Sequence, residues 1–291
     1  MNSRRTFLKQ AGLAAGAALF MPSFAFSTKK SQVGLQLFTL RELLPKDVKG
    51  TIEKVAQAGF TEVETYGFSN GKFWGLTPKE FKDLLKANGL KAPSGHYNME
   101  EFIKTGGTDQ LKASIDAAAA LGGEYFTIAG ARVDQTKGAD GFKKVAADFN
   151  KVAELAKASG LGFAYHNHDF EFKSIGDTTG YEIYLNETDK NLVKFEMDLY
   201  WVVRSGNDPL KLIADHPGRF PMWHVKDMDK AKPEWNTEIG NGSIDFKSIF
   251  AQAKTSGLKH FFLEHENHYV PDPIGSITTS CEYIRTKLTK S

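Results

Sequence analysis

The feature that most restricts the fold is an alternation. Eight short β-like segments fall at residues 33–38, 62–66, 91–97, 125–129, 162–168, 193–198, 222–226 and 261–266. Helical patterns lie between them. Val48, Ile52, Val55 and Ala56 share one face of a helix that ends at Gly59. Thr77-Pro78-Lys79-Glu80 is a capping box with proline at the first helical position. Residues 111–121 and 142–158 are alanine-rich and stop at Gly122-Gly123 and Gly160. Asp208-Pro209 and Asp245 open short helices, and residues 275–288 close the chain. Strand followed by helix, repeated about every thirty residues, predicts a parallel sheet with crossover helices. Eight such units in about 260 residues fit a single closed (β/α)8 barrel of the α/β class better than an open doubly wound sheet. No Gly-x-Gly-x-x-Gly follows the first strand, so a nucleotide-binding sheet loses its main support. No low-complexity linker interrupts the chain, which predicts one domain over residues 28–291.

The chain has 291 residues and a net charge of +2, so no global field favours nucleic acid or an acidic membrane. A single cysteine, Cys281, excludes an internal disulfide and reads as a small buried residue of the last helix. Residues 1–27 are read apart from the fold. They contain Ser3-Arg4-Arg5-Thr6-Phe7-Leu8-Lys9, then an apolar run over residues 11–20 too short to span a bilayer, then Ser23-Phe24-Ala25. This stretch resembles a cleavable twin-arginine export signal, the bland alternative being a disordered basic tail. The resemblance implies a periplasmic protein, exported folded and without stable membrane insertion.

In a parallel barrel the C-terminal strand ends share one face, and residues two apart on a strand point the same way. The inward pairs read Gln36 with Phe38, Glu62 with Glu64, His96 with Asn98, His166 with His168, Glu196 with Asp198, His224 with Lys226, and Glu264 with Glu266. So many ionisable groups inside a barrel are costly unless paired or bound to metal. His166, Asp198, His224 and Glu264 form the predicted ligand set. Two imidazoles and two carboxylates suit one divalent ion, Mn²⁺, Co²⁺, Fe²⁺ or Zn²⁺, more than Ca²⁺. Whether His166 or His168 is the ligand stays open. Lys226 either polarises a substrate oxygen or pairs with Glu196. Glu64 is expected to pair with Arg41 or a helix end. Gln36, His96 and Trp201 are candidate substrate contacts, with a satisfied buried histidine and a core tryptophan as the alternatives. Asp169, Glu171 and Asp227 are expected to tie down loops, and His216, His260, His265 and His268 receive no role. The loop over residues 227–243, with Trp235, either covers the barrel mouth or lies on the surface.

With these residues assembled, the chain resembles the xylose isomerase-like TIM-barrel superfamily of sugar isomerases and epimerases. The resemblance covers nearly the whole chain after residue 27. It rests on Gly34-Leu35-Gln36-Leu37-Phe38-Thr39-Leu40-Arg41, Tyr165-His166-Asn167-His168-Asp169-Phe170-Glu171-Phe172, Met197-Asp198-Leu199-Tyr200-Trp201, His224-Val225-Lys226-Asp227, Ile239-Gly240-Asn241-Gly242-Ser243-Ile244-Asp245-Phe246 and Leu263-Glu264-His265-Glu266. It implies one metal held by Glu, Asp, His and Glu at the ends of strands five to eight, with both glutamates moving protons next to a carbonyl. Asp198, His224 and Glu264 match three of those positions. His166 stands where many relatives carry the fifth-strand Glu, which removes one base of a symmetric two-carboxylate epimerase.

The expected chemistry is proton abstraction alpha to a carbonyl of a non-phosphorylated carbohydrate. Glu264, His166 or His168 would act as the base, with Lys226 beside the developing oxyanion. Reprotonation makes the chain an isomerase or epimerase. Loss of a neighbouring substituent makes it a lyase on 3-keto-glycosides, and a non-catalytic sugar-binding barrel is the third reading. A nuclease is set aside on charge. The substrate, the metal and whether the chain forms a homodimer are left open.

Overall fold

The alternation closes into a ring of eight parallel strands in a computed structural model that describes residues 32–289. The export-signal reading, on residues 1–27, lies outside the described residues. The strands are β1 (Gly34–Gln36), β2 (Glu62–Thr65), β3 (Lys91–Tyr97), β4 (Tyr125–Ala129), β5 (Gly162–His166), β6 (Val193–Asp198), β7 (Met222–Val225) and β8 (His260–Leu263). Each pairs with its neighbours in sequence, and β1 pairs with both β2 and β8, so the barrel leaves no edge. The fold is a single TIM barrel.

Most of the crossover helices start where a side-chain oxygen satisfies one of the first free N–H groups. The helices are α1 (Val48–Gln57), α2 (Pro78–Ala87), α3 (Asp109–Leu121), α4 (Ala139–Ala158), α5 (Gly180–Glu187), α6 (Leu199–Arg204), α7 (Pro209–Asp215), α8 (Phe246–Phe250) and α9 (Pro273–Tyr283). Asp47, Asp208, Asp245 and Asp272 cap α1, α7, α8 and α9, and Thr77 with Glu80 forms the expected capping box on α2. The sequence patterns did not mark α5 or α6, nor the short helices Glu100–Thr105 and Ala253–Ser256. α5 begins with its own capping box, Thr179 with Glu182. α6 begins on Asp198, whose carboxylate accepts from the Trp201 N–H at 3.1 Å. α4 buries Phe142, Val145, Phe149, Val152 and Ala156, a helical stripe that packs on β5 through Phe149 against Tyr165, 4.7 Å between ring centres.

Strands β1, β2, β5, β7 and β8 end sooner than expected. The reason at β5 is local. The N–H of His168 donates to both Glu171 carboxylate oxygens, at 3.1 and 3.0 Å, instead of continuing the ladder. The His168 ring thus stands on a turn beyond the strand.

The barrel interior is stratified. At the N-terminal ends His260 bridges Glu62 at 2.8 Å and Glu124 at 3.2 Å, and Lys91 adds a contact to Glu62 at 2.9 Å. Above this lies an apolar plug of Tyr125, Ala164, Met222 and Phe262. Gly34 makes room for the plug, because a Cβ there would lie 2.4 Å from the Phe262 ring. The next tier, toward the C-terminal ends, is polar. This layering separates a stabilising end from a chemical end.

His260 sits in the stabilising tier, a role the sequence reading did not give it. His260→Ala leaves buried Glu62 with the half-exposed Lys91 and the Gln32 amide, so the loss falls at the low end for breaking a buried ion pair, about 3 kcal/mol. Thermal and denaturant unfolding should show that loss with metal uptake unchanged. An unaltered midpoint would contradict the stabilising role.

Candidate functional site

The polar tier is a continuous network of in-phase strand residues. His224, on β7, is fully buried and is held through both ring nitrogens. Its Nε2 lies 2.7 Å from Glu64 on β2 and 3.4 Å from Glu196 on β6. Its Nδ1 lies 3.2 Å from Glu264 and 3.8 Å from Asp198. His96, on β3, places Nε2 3.0 Å from Glu64 and 2.7 Å from Glu196. The Gln36 amide donates to Glu64 at 2.7 Å, and the Ser94 hydroxyl donates to its other oxygen at 2.5 Å. Lys226 is buried, 3.4 Å from Glu264 and bonded to Glu266.

These contacts set the charges. Burial works against ionising Glu64, but His96 and His224 overcome it and hold the carboxyl well below its usual range. Burial likewise opposes ionisation of Glu264, and Lys226 and His224 win, so it is a carboxylate. Burial would drive His96 down, yet Glu64 and Glu196 raise it to about 9. Burial and the nearby Glu64 charge lift Glu196 to about 7. Burial lifts Asp198 to about 6 against the pull of Lys226 and His224. His168 is pushed down to about 4 by burial, so its ring is neutral at neutral pH.

The structure brings Asp198, His224 and Glu264 together, with one ligand atom from each within 4.8 Å of the others. His166, the fourth predicted ligand, groups with His96, Glu196 and His224, and its Nε2 lies 3.9 Å from Asp198 Oδ2. The donor set fits a cation. Asp198 Oδ2 is buried without a hydrogen-bond partner, a costly state that a metal ion would relieve, while His166 Nδ1 and Glu196 Oε1 are unpartnered on the other side of the His224 ring. The approach of His166 Nδ1 to Glu196, 3.3 Å, lacks hydrogen-bond geometry.

Other expectations are redirected. Glu64 does not pair with Arg41. Arg41 donates to the Glu266 carbonyl at 2.7 Å, and Glu64 is a hub of the network. Lys226 pairs with Glu264 and Glu266, not Glu196, because His96 occupies Glu196. Gln36 is fully buried, with its carbonyl accepting from the Phe38 N–H at 3.0 Å, so it braces Glu64 and offers no free surface to a ligand. Asp227 ties its loop as expected, accepting from the N–H groups of Gly240, Gly242 and Ile244. Trp235 stacks on His268 at 3.5 Å and lines neither of the clefts described next. The sequence reading underrated Glu64 and Glu196. Their in-phase spacing with Glu62 and Asp198 was the available signal.

Above the network is a cleft of about 220 Å³, lined by Phe38, Tyr66, His96, His166, His168 and Glu264 among others. His168 and Ala129 also line a wider neighbouring cleft, where Trp201 lies.

A model of the xylose isomerase-like TIM barrel matches residues 52–287. The chain belongs to that family. It is 27% identical over 165 residues to an inosose dehydratase of Clostridium perfringens, a match spanning 50% of this chain and 54% of that relative. The chain thus spans about half the length of the first such relatives. An inosose dehydratase of Clostridium beijerinckii is 25% identical over 273 residues, covering 84% of this chain and 82% of the relative. The solved sugar phosphate isomerase/epimerase of Parabacteroides distasonis superposes with a TM-score of 0.78 at 28% identity, covering 89% of this chain and 99% of that one. These relatives and the solved structure are named as sugar- or inosose-converting enzymes, and the His/Glu/Asp groups of this chain can hold a metal ion. Among the described residues no helix is long and apolar enough to cross a membrane.

Two expectations follow. Glu64→Gln removes the charge that orients His224, so metal affinity should fall by about 10–100-fold, read by chelator competition, with the fold retained. Undiminished affinity would contradict that orienting role. Burial also raises Glu171 from 4.5 to about 7. Its folded value exceeds its unfolded one, so its contribution to stability is complete below about 4.5 and is lost as pH rises through about 7. Glu171→Gln should abolish a decline in melting temperature between about pH 5 and 8. An identical decline in the variant would exclude Glu171 as its source.

Proposed function

We propose that the chain is a metal-dependent sugar isomerase or epimerase that removes a proton alpha to the carbonyl of a non-phosphorylated carbohydrate. The observation that carries this reading is that two proton carriers of different kinds, ionised Glu264 and neutral His168, line one small cleft over the donor set. Asp198, His224, Glu264 and His166 would hold one divalent ion, Mn²⁺, Co²⁺, Fe²⁺ or Zn²⁺. Such an ion supplies Lewis-acid polarisation of the carbonyl oxygen.

The remaining work falls to side chains. Glu264 accepts the alpha proton, because Lys226 and His224 keep it ionised. Lys226 is a buried cation, its charge held by Glu264, Asp198 and Glu266 against burial, and it stabilises the oxyanion that develops. His168 carries the proton at the other boundary of the cleft. One carboxylate and one imidazole thus replace the two carboxylates of a symmetric site. The inner cleft includes Glu264 and Glu266 but no arginine, which supports a neutral sugar over a phosphorylated one. Periplasmic location, by twin-arginine export, belongs to the same proposal and accords with an unphosphorylated substrate.

A second reading is elimination. The curated relatives are dehydratases, and the same first proton transfer, followed by loss of a substituent at the next carbon, would cleave a 3-keto-glycoside. The test is NMR of the full chain, loaded with Zn²⁺, in D2O with ketoses and 3-keto-glycosides. Deuterium should enter the carbon next to the carbonyl, and Glu264→Gln should slow that entry by about 10²–10⁴-fold. Release of an aglycone with an unsaturated keto-sugar would establish the elimination. No exchange on either panel in metal-loaded protein would overturn the common first step and leave a sugar-binding barrel.

A further inference from the structure

Apart from His168, none of the residues lining the wider cleft takes part in the proton transfers just described. That cleft measures about 550 Å³ and shares His168 and Ala129 with the inner one. The inner cleft, at about 220 Å³, falls short of the roughly 300–1,000 Å³ of ordinary small-molecule sites and takes one ring. The outer cleft is large enough for a second.

Its lining has a mixed character. Phe170 and Trp201 contribute aromatic surface, and their rings flank His168 at 6.5 and 5.9 Å between centres. Arg132, Asp169 and Glu100 bring charged planar groups to the same cleft. Arg132 is exposed and has no hydrogen bond or ion pair among the described residues, and the Asp169 carboxylate is equally unengaged. Glu100 pairs only with Lys104, at 3.2 Å on the surface. An aromatic face matches the C–H face of a sugar ring, while planar guanidinium and carboxylate groups match its neighbouring hydroxyls. A phosphate fits poorly, because two carboxylates outnumber the one arginine. Gly130 lines the outer cleft beside His168. It sits at φ +75°, and a Cβ there would lie 3.6 Å from His168 Nδ1.

We propose that the outer cleft is a subsite for a second sugar ring, so that the substrate is a disaccharide-sized glycoside whose linkage passes His168. The identity of the inner ring as a keto-sugar rests on the function proposed above. The subsite itself does not, and the two are tested by different measurements. Deuterium exchange tests the first. Calorimetry of the full chain with glucose, glucose disaccharides of α and β linkage, their 3-keto forms and glucose 6-phosphate tests the second. A disaccharide should bind at least about tenfold more tightly than the matching monosaccharide, and exposed Arg132→Ala should reduce that preference to about twofold or less. Arg132→Lys should keep part of it, since one charge remains without the planar fork. Equal affinity for one ring and two, no binding of any sugar, an undiminished preference in Arg132→Ala, or tightest binding of the phosphate would each overturn the subsite.

Discussion

The imidazole of His224 is the point on which the site depends. It is fully buried, it crosses the barrel axis, and it is engaged at both nitrogens. Glu64 on one side fixes the ring's orientation and tautomer, which leaves Nδ1 facing Asp198 and Glu264. Everything around Glu64 secures that contact. Gln36 and Ser94 fill its remaining acceptor sites, and protonated His96 balances its charge against Glu196. A tier with this many ionisable groups is tolerable inside a barrel because nearly every one has a partner. The orphaned Asp198 Oδ2 occurs where a cation would sit, with His166 Nε2 3.9 Å away.

The two ends of the barrel show the same residue types put to different uses. At the N-terminal end His260, Glu62 and Glu124 form an ion-pair cluster. At the C-terminal end similar residues open into two joined clefts. The apolar plug of Tyr125, Ala164, Met222 and Phe262 keeps these tiers apart. Stability and chemistry are thereby separated along one axis.

Much of this was legible in the sequence because a strand's side chains repeat every second residue. Asp198, His224 and Glu264 could be placed on one rim from phase alone. Eight strands were recognisable because each apolar segment is short and is followed by a helical stripe. Three things were not legible. Helix α5 lacks a strong apolar stripe, so only its Thr179–Glu182 capping box marked it. The partners of Glu64 and Lys226 come from strands across the barrel, and strand phase says which face a residue takes but not which distant side chain it meets. The early end of β5 depends on Glu171 capturing the His168 N–H, a contact between residues three apart that no period reveals.

Anomalous diffraction from crystals of the full chain soaked in Mn²⁺ would test the arrangement most directly. The fixed orientation of His224 predicts one strong peak bounded by His224 Nδ1, Asp198, Glu264 and His166. A peak on the other side of the ring, among His96, Glu196 and His224 Nε2, would contradict it, and so would the absence of any ordered ion at the rim.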